Sequence, residues 1–198
     1  MSSKVSVFWF RRDLRIEDNA GLWKALNSGH QVLPIFIFDK NILDKLEDKE
    51  DARVSFIHQV LEGIQSELNG LGSSLKVFYS SPLKVMEELA SEYDVQAIYL
   101  NRDYEPYARQ RDAEVFEFWQ TKGVDVIGAK DHVIFEKSEV VKADGTPYLV
   151  YSPYAKAWRK RLEDQHSTAY PTLDLVGKFI KTAPWPIPTL NEMGFAPT

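Results

Sequence analysis

Cysteine is absent from the whole 198-residue chain, which excludes disulfides, thiolate metal sites and cysteine nucleophiles and is compatible with a reducing compartment. No apolar run approaches the roughly 20 residues a membrane span needs, and no basic start with a cleavable apolar core marks the N-terminus. A cytoplasmic chain without membrane contact, most simply a monomer, is expected. Excess positive charge is also lacking: 24 Lys and Arg face 29 Asp and Glu, a net charge of -5, so any affinity for nucleic acid has to be local. The G-x-G of Gly70 and Gly72 falls between a helix and the strand after it, the reverse of a dinucleotide fingerprint. There is no P-loop and no G-x-S-x-G elbow. His30, His58, His132 and His166 are scattered without a second ligand at helical or turn spacing, so no metal site is assigned.

What is present is a rhythm. Val5–Phe10, Gln31–Phe38, Leu75–Tyr79, Val95–Leu100 and Val124–Ile127 are short, rich in Val, Ile, Phe and Tyr, and nearly continuously apolar, as strands covered on both faces are. Between them the apolar period shifts to three and four. Asp18 or Asn19 can cap a helix carrying Leu22, Ala25 and Leu26, and Gly29 marks its end. Val54, Ile57, Leu61, Ile64, Leu68 and Leu71 form the stripe of a longer helix, Ser81-Pro82 opens a third, and Pro106 opens a fourth with Val115, Phe118 and Trp119. The alternation predicts an α/β fold, a five-stranded doubly wound parallel sheet (Rossmann-like) with helices on both faces.

After Ala129 the pattern breaks, so residues 1–130 are read as the domain core. Residues 131–164 are read as its closing segment, irregular or hairpin-like with a turn at Asp144-Gly145, followed by a basic helix with Lys156, Arg159, Lys160 and Arg161. Residues 165–198 hold five of the ten prolines and little apolar periodicity, and read as an extended linker rather than core. Whether it leads to a further domain or packs back on this one stays open.

Three segments carry a family resemblance. Trp9-Phe10-Arg11-Arg12-Asp13-Leu14-Arg15 with Asp18-Asn19 resembles the opening W-[FH]-R-R-D-L-R-x-x-D-N of the DNA photolyase/cryptochrome family. The stretch from Asn101 to Asp112, NRDYEPYARQRD, is similar to that family's N-x-D-x-E-P-Y-x-R-x-R-D segment. Pro147 to Trp158, PYLVYSPYAKAW, resembles the block that closes the family's first domain. The resemblance implies an N-terminal domain that holds a light-harvesting antenna chromophore. It also implies a separate C-terminal helical domain that binds catalytic FAD and damaged DNA, and a full-length enzyme that splits pyrimidine dimers by light-driven electron transfer. The FAD-binding residues and the tryptophans that reduce the flavin belong to that second domain, so no catalytic residue is placed here and this chain alone is expected to be inactive. A cryptochrome photoreceptor domain is the alternative within the family; a stand-alone nucleotide-binding α/β module is the alternative outside it.

An antenna pocket needs an apolar slot with a few polar groups to fix a planar ring, and strand ends supply both. The expected contacts are Arg11, Phe36, Ile37, Phe38, Asp39, Asp103 and Glu105, with Arg53 and Arg109 available for an anionic tail or phenolate. Asp13, Arg15, Asp18 and Asn19 are expected instead to hold the loop and start the helix. Folate-binding relatives carry Asn-Glu where Tyr107-Ala108 stands, so the resemblance ranks 8-hydroxy-5-deazaflavin and FMN or FAD above folate. Lys156, Arg159 and Lys160 have two readings, phosphate contacts to DNA or the flank of an interdomain contact made through Tyr154 and Trp158; the second is favoured.

Overall fold

The five apolar segments form five strands, β1 (Lys4–Phe10), β2 (Gln31–Asp39), β3 (Lys76–Ser80), β4 (Asp94–Asn101) and β5 (Asp125–Ala129). The computed structural model describes residues 4–164 and 169–198, and His166 lies outside the described residues. Strand order is β3-β2-β1-β4-β5, with every neighbouring pair parallel. Parallel neighbours require crossovers, provided here by α1 (Ala20–Leu26), the short α2 (Lys40–Leu43), α3 (Ala52–Gly70), α4 (Pro82–Glu92) and α5 (Pro106–Gln120).

Period-two alternation sorts the strand residues onto two cores. Phe8, Phe10, Phe36 and Phe38 pack with Leu22, Leu26, Leu61, Ile64 and Leu68 of α1 and α3. Val7, Trp9, Ile35 and Ile37 pack with Val85, Met86, Leu89, Val115 and Trp119 of α4 and α5. Helices thus cover both faces, which is why β1 and β2 read as unbroken apolar runs rather than as alternating ones. Local signals place the ends. Asn19 caps α1 by accepting from the Leu22 amide at 3.0 Å, and Gly29, at φ 86°, turns the chain toward β2. Pro82 and Pro106 each sit in the first turn of their helix.

Residues 133–150 form no strand, so the hairpin expected for this closing segment is not formed. Asp144-Gly145 does turn, with the Lys142 amide donating to Thr146 O at 2.9 Å, but no ladder continues from it. The segment is anchored by side chains: Arg102 and the Tyr104 hydroxyl both donate to Glu136, and Lys130 pairs with Glu139 at 2.9 Å. A final helix, α6, spans Tyr151–Asp164.

The tail corrects the reading of residues 165–198 as linker rather than core. After a 3₁₀ turn at Thr172–Lys178 it runs extended, as its prolines require, yet Phe179, Met193 and Phe195 are buried in the cluster beneath α1 and α3. The Ile180 amide donates to Val32 O at 2.9 Å, so Phe179 adds a one-residue bridge beside β2. Gln65 Nε2 donates to Trp185 O, the Trp185 amide donates to the Ser74 hydroxyl, and Thr198 bonds Glu50 and Ser55 near the start of α3. Such a strap has no periodicity to read, because isolated side chains drop into the core from a backbone satisfied by neighbouring loops.

Candidate functional site

β1 and β4 are neighbours in the sheet, but the chain leaves β1 toward β2 and leaves β4 toward β5. The loops following them diverge and open a crevice at the strand C-termini. The loop after β1 is built on a buried polar network. Asp13, 2% exposed, accepts from the Arg11 amide at 2.9 Å, from Asn19 Nδ2 at 3.1 Å and from Asn101 Nδ2 at 2.5 Å. Asn101, at the end of β4, also donates to Asn19 Oδ1 at 2.9 Å and accepts from the Gly21 amide at 2.8 Å. A Cβ on Gly21 would stand 2.7 Å from Asn101 Oδ1, so this helix-to-strand approach requires glycine. Asp18 takes φ 48° and accepts from the Tyr170 amide; Arg15 donates to Asp18 O and pairs with Asp131, which accepts from the Ala20 amide at the start of α1. All four residues expected to hold the loop lie in this framework.

Beside it is a cavity of about 610 Å³, a size suited to a small aromatic ligand. Its walls come from the ends of β1 and β2, from α2, from the first turns of α3, and from the segment between β4 and α5 with the first turns of α5. Phe10, Phe36, Ile37, Phe38, Ile42, Leu43 and Ile57 supply apolar surface. The charged lining is positive on balance: Arg11, Arg12, Lys45, Arg53 and Arg111 against Asp39, Asp103 and Glu105.

Eight of the nine expected contacts line this cavity. Arg109 does not; it is exposed, and Arg111 occupies the wall. Two residues along a helix turn a side chain by about 200°, whereas Arg111 lies four residues after Tyr107 and shares its face. Arg111 is one of several wall residues outside the expected set, and its i, i+4 spacing from Tyr107 was the available signal.

The charges differ in how far they are committed. Arg11, with a side chain 5% exposed, grips Asp112 through Nη1 at 2.6 and 2.8 Å and donates Nη2 to Asn101 O, while its Nε is buried without a partner among the described residues. Burial pushes the Arg11 pKa down, against the opposing pull of Asp112. Arg12, more than half exposed, bridges Asp103 at 3.2 Å and Glu105 at 3.0 Å. Arg53, 76% exposed, folds back on Asp51 at 2.5 Å; its hydrogen bonds hold the Asp51 carboxyl down at about 2. Asp39 caps α2 through the Asn41 amide at 2.9 Å and accepts from the Tyr107 hydroxyl at 2.5 Å. Burial, with that hydrogen bond, pushes the Tyr107 phenol up to about 12, so the hydroxyl remains a donor at neutral pH.

A second concavity, about 460 Å³, follows one side of α6 along Tyr151, Ser152, Ala155, Lys156, Arg159 and Lys160. It is formed by a single helix with its basic side chains in solvent, and Leu149, Val150 and Tyr151 stand exposed beside it. Trp158 packs inward against Phe135. This surface suits contact with another macromolecule better than capture of a small ring.

The fold and crevice define a doubly wound α/β domain with a cavity beside its topological switch point. Residues 6–173 match the DNA photolyase family, and the chain belongs to that family. It is 33% identical to a deoxyribodipyrimidine photo-lyase of Synechococcus sp. over 196 residues, covering 96% of this chain and 40% of that protein. The chain therefore spans about two fifths of that relative's length. An archaeal photolyase from Sulfolobus tokodaii, solved with two FAD molecules that imply a novel light-harvesting cofactor there, is 35% identical, with a TM-score of 0.64 over 69% of this chain and 32% of that one. A class III photolyase from Agrobacterium tumefaciens, at 23% identity, shares the fold with a TM-score of 0.79, covering 100% of this chain and 39% of that chain. No described helix is long and apolar enough to cross a membrane.

Proposed function

We propose that this chain is the antenna domain of a deoxyribodipyrimidine photolyase, holding a light-harvesting chromophore in the cavity at the C-terminal ends of β1, β2 and β4. The observation that carries the reading is the make-up of that cavity: an apolar slot rimmed by more cations than carboxylates, closed on one side by the Tyr107–Asp39 hydrogen bond. A planar ring fits between Phe10, Phe36, Ile37, Phe38 and Ile57, while Arg53, half-committed at an exposed pair, can swing to an anionic group. Asp103 and Glu105 can accept from ring or side-chain donors. The excess of guanidinium fits 8-hydroxy-5-deazaflavin, FMN or FAD, and Tyr107-Ala108 in place of the folate binders' Asn-Glu ranks these above folate. When bound, such a chromophore absorbs light and passes the excitation to a catalytic FAD.

In the full-length protein, a C-terminal helical domain would carry that FAD and damaged DNA, and repair pyrimidine dimers. The exposed Leu149, Val150 and Tyr151 beside Lys156, Arg159 and Lys160 support an interdomain or DNA contact on that side. By itself the chain, read as cytoplasmic and monomeric, would bind chromophore without repairing DNA. Titrating it with 8-hydroxy-5-deazaflavin, FMN, FAD and a reduced folate, followed by fluorescence, tests the reading. A flavin or deazaflavin response is expected; a response to folate alone would overturn the ranking.

A further inference from the structure

Trp9, the last residue but one of β1, lines the cavity, and two cations lie close to its ring. The Arg111 guanidinium carbon is 4.9 Å from the indole centroid and that of Arg11 is 5.4 Å. Among the described residues, one carboxylate, Asp112, forms the ion pairs of both arginines, at 2.9 Å to Arg111 and 2.6 Å to Arg11. The indole therefore carries a net positive field from two side chains that are themselves nearly buried. Core packing does not explain two cations within 5.4 Å of one aromatic ring. Ordinary cation–π stabilisation does not need a second guanidinium either, since the two repel each other and share their counter-ion.

An indole beside an excited flavin or deazaflavin is a hazard to an antenna. One electron can pass from Trp9 to the excited ring, leaving a tryptophan radical cation and a ring reduced by one electron. Its return restores both partners and releases the excitation as heat. We propose that Arg11 and Arg111 suppress this loss: their field stabilises the electron-rich neutral indole and opposes a positive charge on it, so Trp9 becomes a poor electron donor. Trp9 can then serve as a wall of the cavity without draining the excited state. The inference rests on the antenna reading and gives the arginine pair, besides its place in the cavity wall, a role in keeping the excitation alive.

The test is the fluorescence lifetime of FMN or 8-hydroxy-5-deazaflavin bound to the 198-residue chain. Arg111→Met should raise the quenching rate roughly two- to fivefold, the range expected when one cation–π contact is withdrawn. Arg111→Gln is a second neutral replacement should the methionine variant not fold. Arg111→Lys, which keeps the charge, should restore most of the lifetime. Asp112→Asn removes the counter-charge and should not shorten the lifetime; shortening there as well would show a merely structural role and overturn the inference. Adding Trp9→Phe to Arg111→Met should recover the lifetime. Arg111 also stands 5.9 Å from the Tyr107 ring, so recovery by Tyr107→Phe in place of Trp9→Phe would overturn the assignment to Trp9. Bound chromophore with a lifetime indifferent to Arg111 overturns this inference alone, whereas failure to bind any of these chromophores overturns both it and the antenna reading.

Discussion

The loop after β1 has two sides that differ in kind. Its inner side is neutral in partnership: Asp13 is held by amide donors from Arg11, Asn19 and Asn101, and the tail braces the same loop through Thr172, whose hydroxyl donates to Ile16 O at 2.6 Å. Its outer side is ionic and uneven, running from the buried Arg11–Asp112 pair to Arg12 in solvent, and across the cavity Arg53 of α3 is exposed in the same way. Buried groups that are fully hydrogen-bonded fix a shape, and breaking them exposes the cost of an unpaired polar atom. Exposed ion pairs contribute little to stability, so their charges remain available to a ligand. One short motif thus supplies both a rigid frame and an adjustable wall.

The frame should fail hardest where the tail enters it. Phe179→Ala empties a fully buried site and should lower the unfolding free energy by about 3–5 kcal/mol, measured by urea denaturation. An effect confined to tail mobility, with the transition midpoint unmoved, would detach the strap from the frame. Next comes Asn101→Ala, which strips partners from Asp13, Asn19 and the Gly21 amide together; a loss of about 2–4 kcal/mol is expected in the same measurement. On the wall the balance should reverse. Arg53→Ala should weaken chromophore binding about tenfold, as loss of one charge-assisted contact does, with little movement of the denaturation midpoint. A large midpoint shift with unaltered affinity would place Arg53 in the frame.

The smallest effect concerns pH. Asp51 caps α3 and pairs with Arg53, and its folded pKa of about 2 lies below the ordinary 3.8. Its contribution is therefore present above the unfolded value and is lost as pH falls through the window between 3.8 and about 2. Asp51→Asn keeps a cap and should flatten that part of the stability-pH curve; an unchanged acid limb would mean the pair adds nothing there.

Much of this was legible beforehand because it is written in local chemistry. Apolar runs bounded by Asn19, Pro82 and Pro106 mark strands and helix starts without reference to partners, and residues after strand ends mark the crevice. Arg109 against Arg111 shows the limit: a motif names a segment, but the helix phase decides which arginine faces the cavity. Phe179, Met193 and Phe195 show another, since three isolated side chains in a proline-rich stretch have no period to betray their burial.

The sequence by itself determined the α/β alternation, the five strands and the family, since each depends on short-range periodicity and contiguous motifs. Only the tertiary structure decided that Asp13 and Asn101, 88 residues apart, share a hydrogen bond, that the tail is core, and that two arginines meet beside Trp9. Those depend on which strand ends the parallel sheet sets side by side, a matter of register and crossover that no local window contains.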